Sequence, residues 1–407
     1  MALIVQKYGG SSVADPQKMR NVAERIVATR NRGDDVVVVV SAMGDTTDHL
    51  IEMAHAVCGQ PDSREMDLLL STGELVSSAL LSMALRNMGQ EAVSLSGAQA
   101  GIITDGNHRR ARITNIQPKR ILKELGHSRV VVVAGFQGMN EDMDVTTLGR
   151  GASDITAIAL AARLEAARCE RFTDVEGVFT ADPRIVPEAR KLKDISYDEM
   201  LELASYGAKV MHPRAVELGA VYKVPIFVAS SFTSTPGTLI HGGVMVEVAS
   251  KVRGIAHDND IAKITIRAVP DRPGAAAGVF QPLSEAGVRV DTVVQNTSQD
   301  GVTDLSFTVT TDDLRMAKSV MDGIVRDIHA RTWVLDEKVA KVSIVGACLE
   351  SGIGYAARMF QTLFKAGVNI ELITTSPIRI TCIIEKTKVP EAVRALHGAF
   401  SLGAVAE

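Results

Sequence analysis

The sequence Val5-Gln6-Lys7-Tyr8-Gly9-Gly10-Ser11-Ser12 lies near the start of the chain and carries most of the information about its fold. The apolar run that ends at Val5 predicts a buried first strand, and Asp15-Pro16 predicts the start of a helix. A glycine-rich turn between a strand and a helix lets backbone N–H groups approach an anion, and Lys7 adds a positive charge. The stretch fits a phosphate-binding turn and also an ordinary strand–helix turn, so further evidence is needed.

The length and composition of the chain indicate a multidomain α/β protein. A chain of 407 residues is too long for one ordinary core, so two or three domains are expected. The sequence is 46% apolar with only 4% aromatic residues, which is typical of buried parallel strands. The formal net charge of −4 gives no indication of a nucleic-acid or anionic-membrane partner. The basic run His108-Arg109-Arg110-Ala111-Arg112 predicts a solvated loop.

The cysteines and histidines give no sign of a structural metal or a disulfide framework. The histidines do not cluster at ligand spacing, and no CxxC spacing occurs. The sequence enters its predicted first strand without a basic n-region, and no apolar run of about 18 residues appears. A soluble, cytoplasmic protein with reduced thiols is therefore expected. The four cysteines are Cys58, Cys169, Cys348 and Cys382.

Strand-like and helix-like runs alternate through the first half of the chain. Asp35–Ser41, with five successive valines, and Arg129–Ala134 predict fully buried strands, and Arg64–Met88 predicts a long helix. A second helix is expected at Asp154–Ala167, with Asp154 as its N-cap. The alternation predicts a mostly parallel sheet between two helical layers. Further strands are predicted at Phe172, Val175–Phe179 and Pro225–Ser230.

Five stretches of glycine, polar and charged residues follow predicted strands or precede a helix. Because ligands bind at the carboxyl ends of the strands in such sheets, the five stretches predict one site at one edge. They are Lys7–Ser12, Ser41–Asp48, Gly135–Gly138, Thr147–Asp154 and Thr173–Gly177.

The last third of the chain contains an internal repeat. Phe280–Val288 aligns with Phe360–Val368 at an offset of 80 residues, and Gly274 aligns with Gly354. Each copy predicts a small βαββαβ module, and two such modules pair because neither covers its sheet edges alone. The expected domains are residues 1–245, 264–338 and 339–407.

The site chemistry favours phosphoryl transfer without a P-loop. The chain lacks a Walker A motif, the catalytic motifs of protein kinases and a GxSxG elbow. Gly352–Ala357 resembles a dinucleotide fingerprint, but too few residues follow it and the repeat assigns it to a small module. Arg150 stands between two glycines, which suits capture of a carboxylate. The cations, acids and hydroxyls that suit phosphoryl transfer with Mg²⁺ on the phosphates are Lys7, Lys209, Arg150, Arg184, Asp154, Asp174, Asp182, Glu74, Ser41, Thr47 and Ser153.

At these residues the sequence resembles the aspartate kinases (aspartokinases) of the lysine- and threonine-controlled bacterial type. This family has an amino-acid kinase fold, a three-layer αβα domain, followed by two C-terminal ACT modules of βαββαβ form. The resemblance covers nearly the whole chain. The motifs that carry it are Lys7–Ser12, Ser41–Thr47, Thr147–Asp154 and Thr173–Arg184.

The resemblance implies transfer of the ATP γ-phosphoryl to the side-chain carboxylate of L-aspartate, which gives 4-phospho-L-aspartate. This is the first step towards lysine, threonine, methionine and isoleucine. The implied catalytic residues are Lys7 and Asp154, with no metal-ligating side chains because Mg²⁺ is held mainly by ATP. Nucleotide-binding roles are implied for Lys7, Gly9, Gly10, Ser11, Ser41, Thr173, Asp174, Phe179, Asp182, Arg184 and Lys209. Aspartate-binding roles are implied for Thr47, Glu74, Arg150, Gly151, Ser153 and Asp154.

The resemblance also implies that the ACT modules bind amino-acid effectors, here lysine and threonine, and form a homodimer or tetramer. A strand from residues 250–260 is expected to complete the second module. The first effector groove would use Asp271, Pro273, Gly274, Ala275, Ala276, Arg289, Val290, Asp291 and Gln295. The second would use Ser351, Ile353, Gly354, Tyr355, Asn369, Ile370 and Glu371.

Two alternatives remain at this point. Another amino-acid kinase, such as an acetylglutamate or glutamate kinase, would share the lysine–glycine opening but normally lacks the tail. A non-catalytic amino-acid sensor would keep the tail, but the presence of Lys7, Glu74, Arg150 and Asp154 argues against it.

Overall fold

The computed structural model describes residues 2–149, 151–208, 210–243, 252–296, 300–347, 349 and 353–404. The chain forms two compact units. The first comprises Met1–Val178, Lys191–Ala204 and Lys209–Glu247, and the second comprises Phe179–Arg190, Ser205–Ala208 and Val248–Glu407. Two short segments from within the expected residues 1–245 therefore group with the second unit.

The first unit is built on an eight-stranded sheet with the order β10-β12-β11-β9-β1-β2-β6-β3. Neighbouring strands are parallel except β11 and β12, and a small sheet of order β5-β4-β7-β8 lies in the same unit. The strands are β1 (Leu3–Tyr8), β2 (Asp35–Val40), β3 (Ala92–Leu95), β4 (Ile102–Thr104), β5 (Ile113–Ile116), β6 (Val130–Ala134), β7 (Gln137–Met139), β8 (Val145–Thr147), β9 (Arg168–Thr173), β10 (Asp194–Ser196), β11 (Ile226–Ser230) and β12 (Thr238–His241). The helices are α1 (Pro16–Asn31), α2 (Thr46–Val57), α3 (Ser63–Asn87), α4 (Lys119–Gly126), α5 (Ser153–Arg163), α6 (Tyr197–Ser205) and α7 (Pro213–Tyr222).

The alternation of side chains along β1 explains how a charged residue enters this core. Tyr8 faces one layer, where it packs with residues of α1 and α3 and stacks on Phe172 at 5.0 Å between ring centroids. Lys7 faces the opposite layer, where α5 lies. The central strands β2 and β6 are buried over almost their whole length, in agreement with their runs of valine.

The second unit contains two four-stranded sheets with equivalent layouts, β15-β16-β14-β17 and β19-β20-β18-β13. The first module follows the order βαββαβ, whereas the second ends after its second helix. Strand β13, which precedes both modules, pairs with β18 in the place that β17 takes beside β14. The elements are β13 (Gly254–Asp258), β14 (Ile261–Pro270), α8 (Ala275–Glu285), β15 (Val290–Gln295), β16 (Val302–Thr310), α9 (Leu314–Asp327), β17 (Thr332–Asp336), β18 (Val339–Val345), α10 (Tyr355–Lys365), β19 (Leu372–Ser376), β20 (Arg379–Glu385) and α11 (Val389–Ala399).

Two local expectations were wrong. The N-cap of α5 is Ala152, and Asp154 lies in the first turn with its carboxylate directed to Lys7 and Arg171. The stretch Val175–Phe179 is irregular instead of a strand, because Gly177 adopts a φ of 152° and the Val178 N–H binds the Thr238 hydroxyl at 2.9 Å.

Helix α3 is the one segment among the described residues that is long and apolar enough to span a membrane by length and composition. Half of its most apolar window is buried inside the protein, as in the core helix of an α/β domain.

Candidate active site

The turns predicted to form a site meet at one edge of the main sheet. Strands β9, β1, β2 and β6 are adjacent and parallel, so their carboxyl ends point the same way. The polar stretches that follow them therefore lie side by side, as the sequence predicts.

The turns after β1 and β2 touch through glycine. A Cβ atom on Gly10 would lie 2.7 Å from the Ala42 carbonyl oxygen, and the Gly44 N–H donates to the Gly10 carbonyl at 3.1 Å. Gly73 brings α3 equally close, since a Cβ there would lie 2.8 Å from Cβ of Ala42. Only residues without side chains permit these approaches, so the backbone of the first turn is held in one position.

Lys7 and Asp154 form a buried ion pair at the centre of the site. The Nζ atom lies 2.9 Å from Oδ1, and the two residues are 5% and 4% exposed. The Arg171 Nε donates to Oδ2 at 2.9 Å, and the His212 N–H lies 3.4 Å from the same oxygen. One carboxylate thus holds two cations and the start of α7.

The charges of this cluster determine its protonation. Burial alone would raise the pKa of Asp154, but the positive charges of Arg171 and Lys7 outweigh it and hold that pKa below its usual range. Burial lowers the pKa of Lys7, and Asp154 opposes this shift. Asp154 is therefore an ionised acceptor near neutral pH, paired with a lysine near the end of β1, just before the glycine-rich turn.

Glu74 extends from α3 into the same region. Its Oε1 accepts the Ala42 N–H at 3.1 Å, while Oε2 is buried and has no hydrogen-bond partner among the residues that the structure describes. Burial raises the pKa of this carboxyl group to about 7. A buried carboxylate oxygen in this position suits a cationic ligand group, because such a group would compensate the carboxylate for the hydration it loses on burial.

Ser41 and Ser153 join the turn after β2 to the start of α5. Their hydroxyl oxygens lie 3.1 Å apart, and a Cβ on Gly135 would lie 2.9 Å from Cβ of Ser153. Thr47 lies in the first turn of α2, which follows the same turn. Gly151 precedes Ser153 with a φ of 75°.

The residues predicted to bind the nucleotide are divided between the two units. Thr173 ends β9 and Asp174 follows it in the first unit, where the Thr173 hydroxyl donates to Asp174 at 2.9 Å. Phe179, Asp182 and Arg184 belong to the second unit, where Arg184 binds both carboxylate oxygens of Asp182. Ser11 is exposed in the glycine-rich turn. Arg150, Lys209 and Ser351 lie outside the described residues.

Sequence reasoning missed several polar contacts of the site. Arg171 could have been noticed as a charge in a buried strand, but the contacts of Ser231 and the His212 N–H have no signature in the sequence. The Ser231 hydroxyl accepts from Ser12 at 2.9 Å and donates to the Thr173 carbonyl at 3.1 Å, so it links the first turn to β9. Phe136 adopts a φ of 68°, which is strained for a non-glycine residue, next to Gly135.

The donor set suits a metal that arrives with its ligand. Within the described residues, no group of three or more His, Cys, Asp or Glu side chains could hold a metal ion. Both oxygens of Asp154 already contact cations, so phosphate oxygens are the natural ligands for Mg²⁺ here.

The helix starts of the two small modules have the same backbone conformation. Gly274 and Gly354 are the N-caps of α8 and α10, with φ values of 92° and 95°, and a Cβ on either would meet no atom within 4 Å. The predicted residues of the first groove do not meet at one point within the module. Val290 pairs with Val309 and Gln295 with Leu305, at opposite ends of β15.

Two equivalent ion pairs cross between the modules. Lys263 on β14 binds Glu371, and Lys341 on β18 binds Asp291. The repeat equates Lys263 with Lys341 and Asp291 with Glu371, so the two pairs are related as the two modules are. Asp291 and Glu371, which were predicted to line the two effector grooves, are thus each already paired with a lysine of the other module.

Comparison with known proteins agrees with this architecture. Residues 2–230 match the amino acid kinase family, and residues 264–322 and 342–400 each match the ACT domain. An aspartokinase of Mycolicibacterium smegmatis is 49% identical over 99% of this chain and 97% of its own length. An aspartate kinase of Pseudomonas putida is 48% identical over 100% of this chain and 99% of its own length.

Solved structures show the same similarity. Escherichia coli aspartokinase III with aspartate and ADP, in the R-state, superposes with a TM-score of 0.85 at 25% identity, covering 98% of this chain and 99% of that one. The same enzyme with lysine and aspartate, in the T-state, gives a TM-score of 0.75 at the same identity and coverage. With a kinase domain, two ACT domains and full-length relatives of this kind, the chain belongs to the aspartokinases and is a kinase of the amino acid kinase family.

Proposed function

We propose that this enzyme transfers the γ-phosphoryl group of ATP to the side-chain carboxylate of L-aspartate and forms 4-phospho-L-aspartate. The observation that carries the proposal is the buried ion pair between Lys7 and Asp154, 2.9 Å apart, beside the Gly9–Gly10 turn. Such a pair positions one positive charge where charge develops on a transferred phosphoryl group. The product would enter the route to lysine, threonine, methionine and isoleucine.

On this proposal, Lys7 neutralises charge on the transferred phosphoryl group, and the backbone N–H groups of Gly9, Gly10 and Ser11 bind phosphate oxygens. Asp154 holds Lys7 in place and keeps it protonated. No general base is needed, because the attacking carboxylate of aspartate is ionised near neutral pH. Positioning and charge neutralisation are then the main contributions of the protein.

The amino acid would be held by groups on two sides. Glu74 offers its unpartnered Oε2 to the ammonium group of aspartate. Arg150, between Gly149 and Gly151, is proposed to bind the α-carboxylate in bidentate fashion. Thr47 and Ser153 complete the pocket. The acetylglutamate, glutamate and sensor alternatives lose support, because the full-length relatives above are named aspartokinase or aspartate kinase.

For the nucleotide, Ser41, Thr173 and Asp174 contribute from the first unit. The nucleotide roles of Phe179, Asp182, Arg184 and Lys209 stay predictions. Mg²⁺ would be bound by ATP phosphate oxygens and would supply further charge neutralisation.

We further propose that lysine and threonine inhibit the enzyme through the ACT modules, that these modules mediate a homodimer or tetramer, and that the enzyme works in the cytoplasm. The relative from Escherichia coli, whose structure contains lysine in the T-state, supports a lysine site. The effector roles of the two predicted grooves stay predictions.

The decisive experiment is an ADP-release assay with L-aspartate, L-glutamate and N-acetyl-L-glutamate, repeated with lysine, threonine and both together. Activity restricted to aspartate supports the proposal, and phosphorylation of either glutamate compound in preference to aspartate overturns it. Arg150→Ala should raise the KM for aspartate by about a hundredfold, as expected for loss of a bidentate charged contact. Arg120→Ala, an exposed arginine on α4, is the matched control.

A further inference from the structure

The basic run at residues 108–112 is more than a solvated loop. Its residues Ala111 and Arg109 are tied to the protein by backbone hydrogen bonds, and Ala111 is fully buried. Arg109 adopts a φ of 66°, a left-handed conformation that costs free energy in a non-glycine residue. Something in the fold must hold this loop against that strain.

The group that holds the loop is the carboxylate of Asp67 on α3, which is fully buried. The Arg109 N–H donates to both of its oxygens, at 3.1 and 2.9 Å, and His108 Nδ1 lies 3.0 Å from Oδ2. Thr147 donates from its backbone N–H to Oδ2 at 3.0 Å and from its hydroxyl to Oδ1 at 2.6 Å. One side chain therefore joins α3, the 108–109 loop and the end of β8.

Thr147 begins the stretch that runs through Leu148 and Gly149 to Arg150. Residues Thr147–Gly149 of this stretch are contacted by several other segments. The Thr147 carbonyl accepts the Ala111 N–H at 2.9 Å, and the Leu148 carbonyl accepts Arg214 Nη1 at 3.1 Å. A Cβ on Gly149 would lie 3.5 Å from the Arg109 carbonyl oxygen, so the 108–109 loop packs directly against the glycine before Arg150.

Glu74 lies on the same helix as Asp67, seven residues further along. Seven residues are two helical turns, so both carboxylates project from one face of α3, about 10 Å apart along its axis. Recognition of an α-amino acid requires an anion for the ammonium group and a cation for the carboxylate at a fixed separation. Glu74 would supply the anion. Asp67 fixes the Thr147–Gly149 stretch, which precedes Arg150, the proposed cation.

We propose that Asp67, with His108 and Thr147, is the positioning cluster that fixes the Thr147–Gly149 stretch relative to Glu74 on α3, and so controls affinity for the amino-acid substrate. The inference rests on the proposed aspartate kinase function. The hydrogen bonds of the cluster join α3, the 108–109 loop and the end of β8, and within the described part of the chain none of them reaches the glycine-rich turn. We therefore expect its loss to act on aspartate and to spare ATP.

The test compares steady-state kinetics of the full chain for Asp67→Asn, His108→Ala, Thr147→Val and Thr147→Ser. The first three should raise the KM for aspartate by about tenfold or more and change the KM for ATP by less than about twofold, since misplacement of a binding group by about 1 Å weakens a site to this degree. Thr147→Ser keeps the hydroxyl and should stay close to the wild-type value. Glu65→Gln, an exposed acid two residues from Asp67 on α3, is the matched control.

Asp67→Asn could also destabilise the fold, because it places an amide among buried N–H donors. His108→Ala keeps the Arg109 and Thr147 bonds to Asp67 and truncates a partly buried side chain, so it tests the cluster with less risk to folding than Asp67→Asn. A double variant decides the mechanism. In the Arg150→Ala background, His108→Ala should have no further effect on the KM for aspartate, since the group it positions is gone.

Equal changes in the KM values for aspartate and ATP, or additive effects of His108→Ala and Arg150→Ala, would overturn the inference. Failure of the proposed function is seen separately, because the wild-type enzyme would then show no activity with aspartate. A wild-type enzyme that phosphorylates aspartate, with variants whose KM for aspartate is unchanged, contradicts the positioning role alone.

Discussion

Lys7 Nζ lies 2.9 Å from Oδ1 of Asp154, and the other oxygen of the same carboxylate accepts from Arg171 Nε. The pair places one lysine and one acid in a core where both are nearly inaccessible to water. An ion pair at such depth is costly to break, because either partner alone would leave an uncompensated buried charge. Its position next to the glycine-rich turn supports the catalytic role proposed for Lys7 and Asp154.

Asp154→Asn should therefore reduce kcat strongly and also reduce the free energy of unfolding by about 3–5 kcal/mol, the usual cost of breaking a buried pair. The pKa of Asp154 is lowered from 3.8, so its stabilising effect is present above that pH and lost on further acidification. The difference in unfolding free energy between wild type and variant should be constant from pH 7 to about pH 4 and then narrow. Denaturant titrations at several pH values check this, with the exposed Asp142→Asn as control.

Glu74 gives a prediction about pH and substrate affinity. Burial raises the pKa of its carboxyl group to about 7, and only the ionised form attracts the ammonium group of aspartate. The KM for aspartate should therefore fall as pH rises through about 7 in the wild type, and should be high and independent of pH in Glu74→Gln. A wild-type KM that does not change between pH 6 and 8 would show that Glu74 does not bind the ammonium group.

The same shift has a consequence for stability. Because the pKa in the folded state is raised, the native protein binds more protons than the unfolded chain between pH 4.5 and about 7. The free energy of unfolding therefore falls as pH rises through this window. Glu74→Gln removes this dependence. As pH rises between those values, the free energy of unfolding of the variant should increase by about 3 kcal/mol relative to that of the wild type, at 1.36 kcal/mol per pKa unit. If the free energy of unfolding of the two proteins changed with pH in the same way, this prediction would be contradicted.

Gly10→Ala tests the close approach of the two turns. A Cβ atom would lie 2.7 Å from the Ala42 carbonyl, which is backbone and cannot rotate away. The displaced turn should raise the KM for ATP or lower kcat by about a hundredfold, as for a misplaced phosphate-binding backbone. Gly59→Ala is the control, since a Cβ there meets no atom within 4 Å. Equal kinetics for the two alanine variants would exclude a tightly held turn.

The ion pairs between modules predict opposite effects on inhibition. Lys263→Gln frees Glu371 for an effector ammonium group, so the inhibitor concentration for half-inhibition should fall by about tenfold, the value of one charged hydrogen bond. Glu371→Gln should raise it by a similar factor. Inhibition curves for lysine and threonine check both, with Lys318→Gln, in an exposed pair with Glu337, as control. A shift in the same direction for both variants would show that Glu371 does not contact the effector.

Much of the fold follows from local sequence patterns. The valine runs predicted β2 and β6 to within a residue or two, and the repeat predicted two equivalent modules, because burial and periodicity are local properties. The failures have a different cause. Asp154 has the sequence signature of an N-cap, but two distant cations outweigh a local hydrogen bond to its own helix.

Site residues could be predicted from the sequence where several of them lie in one short stretch. They could not be predicted where their role depends on contacts with residues distant in the sequence. Lys7 and Gly10 lie in one turn. Asp67 is one of three acids on a long helix, and its donors come from two other segments. Nothing in the sequence around residue 67 distinguishes it from a solvated acid, so only the tertiary structure identifies it.

The crossed pairs, Lys263 with Glu371 and Lys341 with Asp291, have a consequence for genetics. On the proposed effector roles, each groove depends on a residue encoded in the other repeat, so a substitution in one repeat is expected to change the response at the groove of the other. The position of a mutation that relieves inhibition therefore does not identify the repeat that binds the inhibitor. The two repeats cannot diverge independently, and selection for a new effector in one will leave its trace in both.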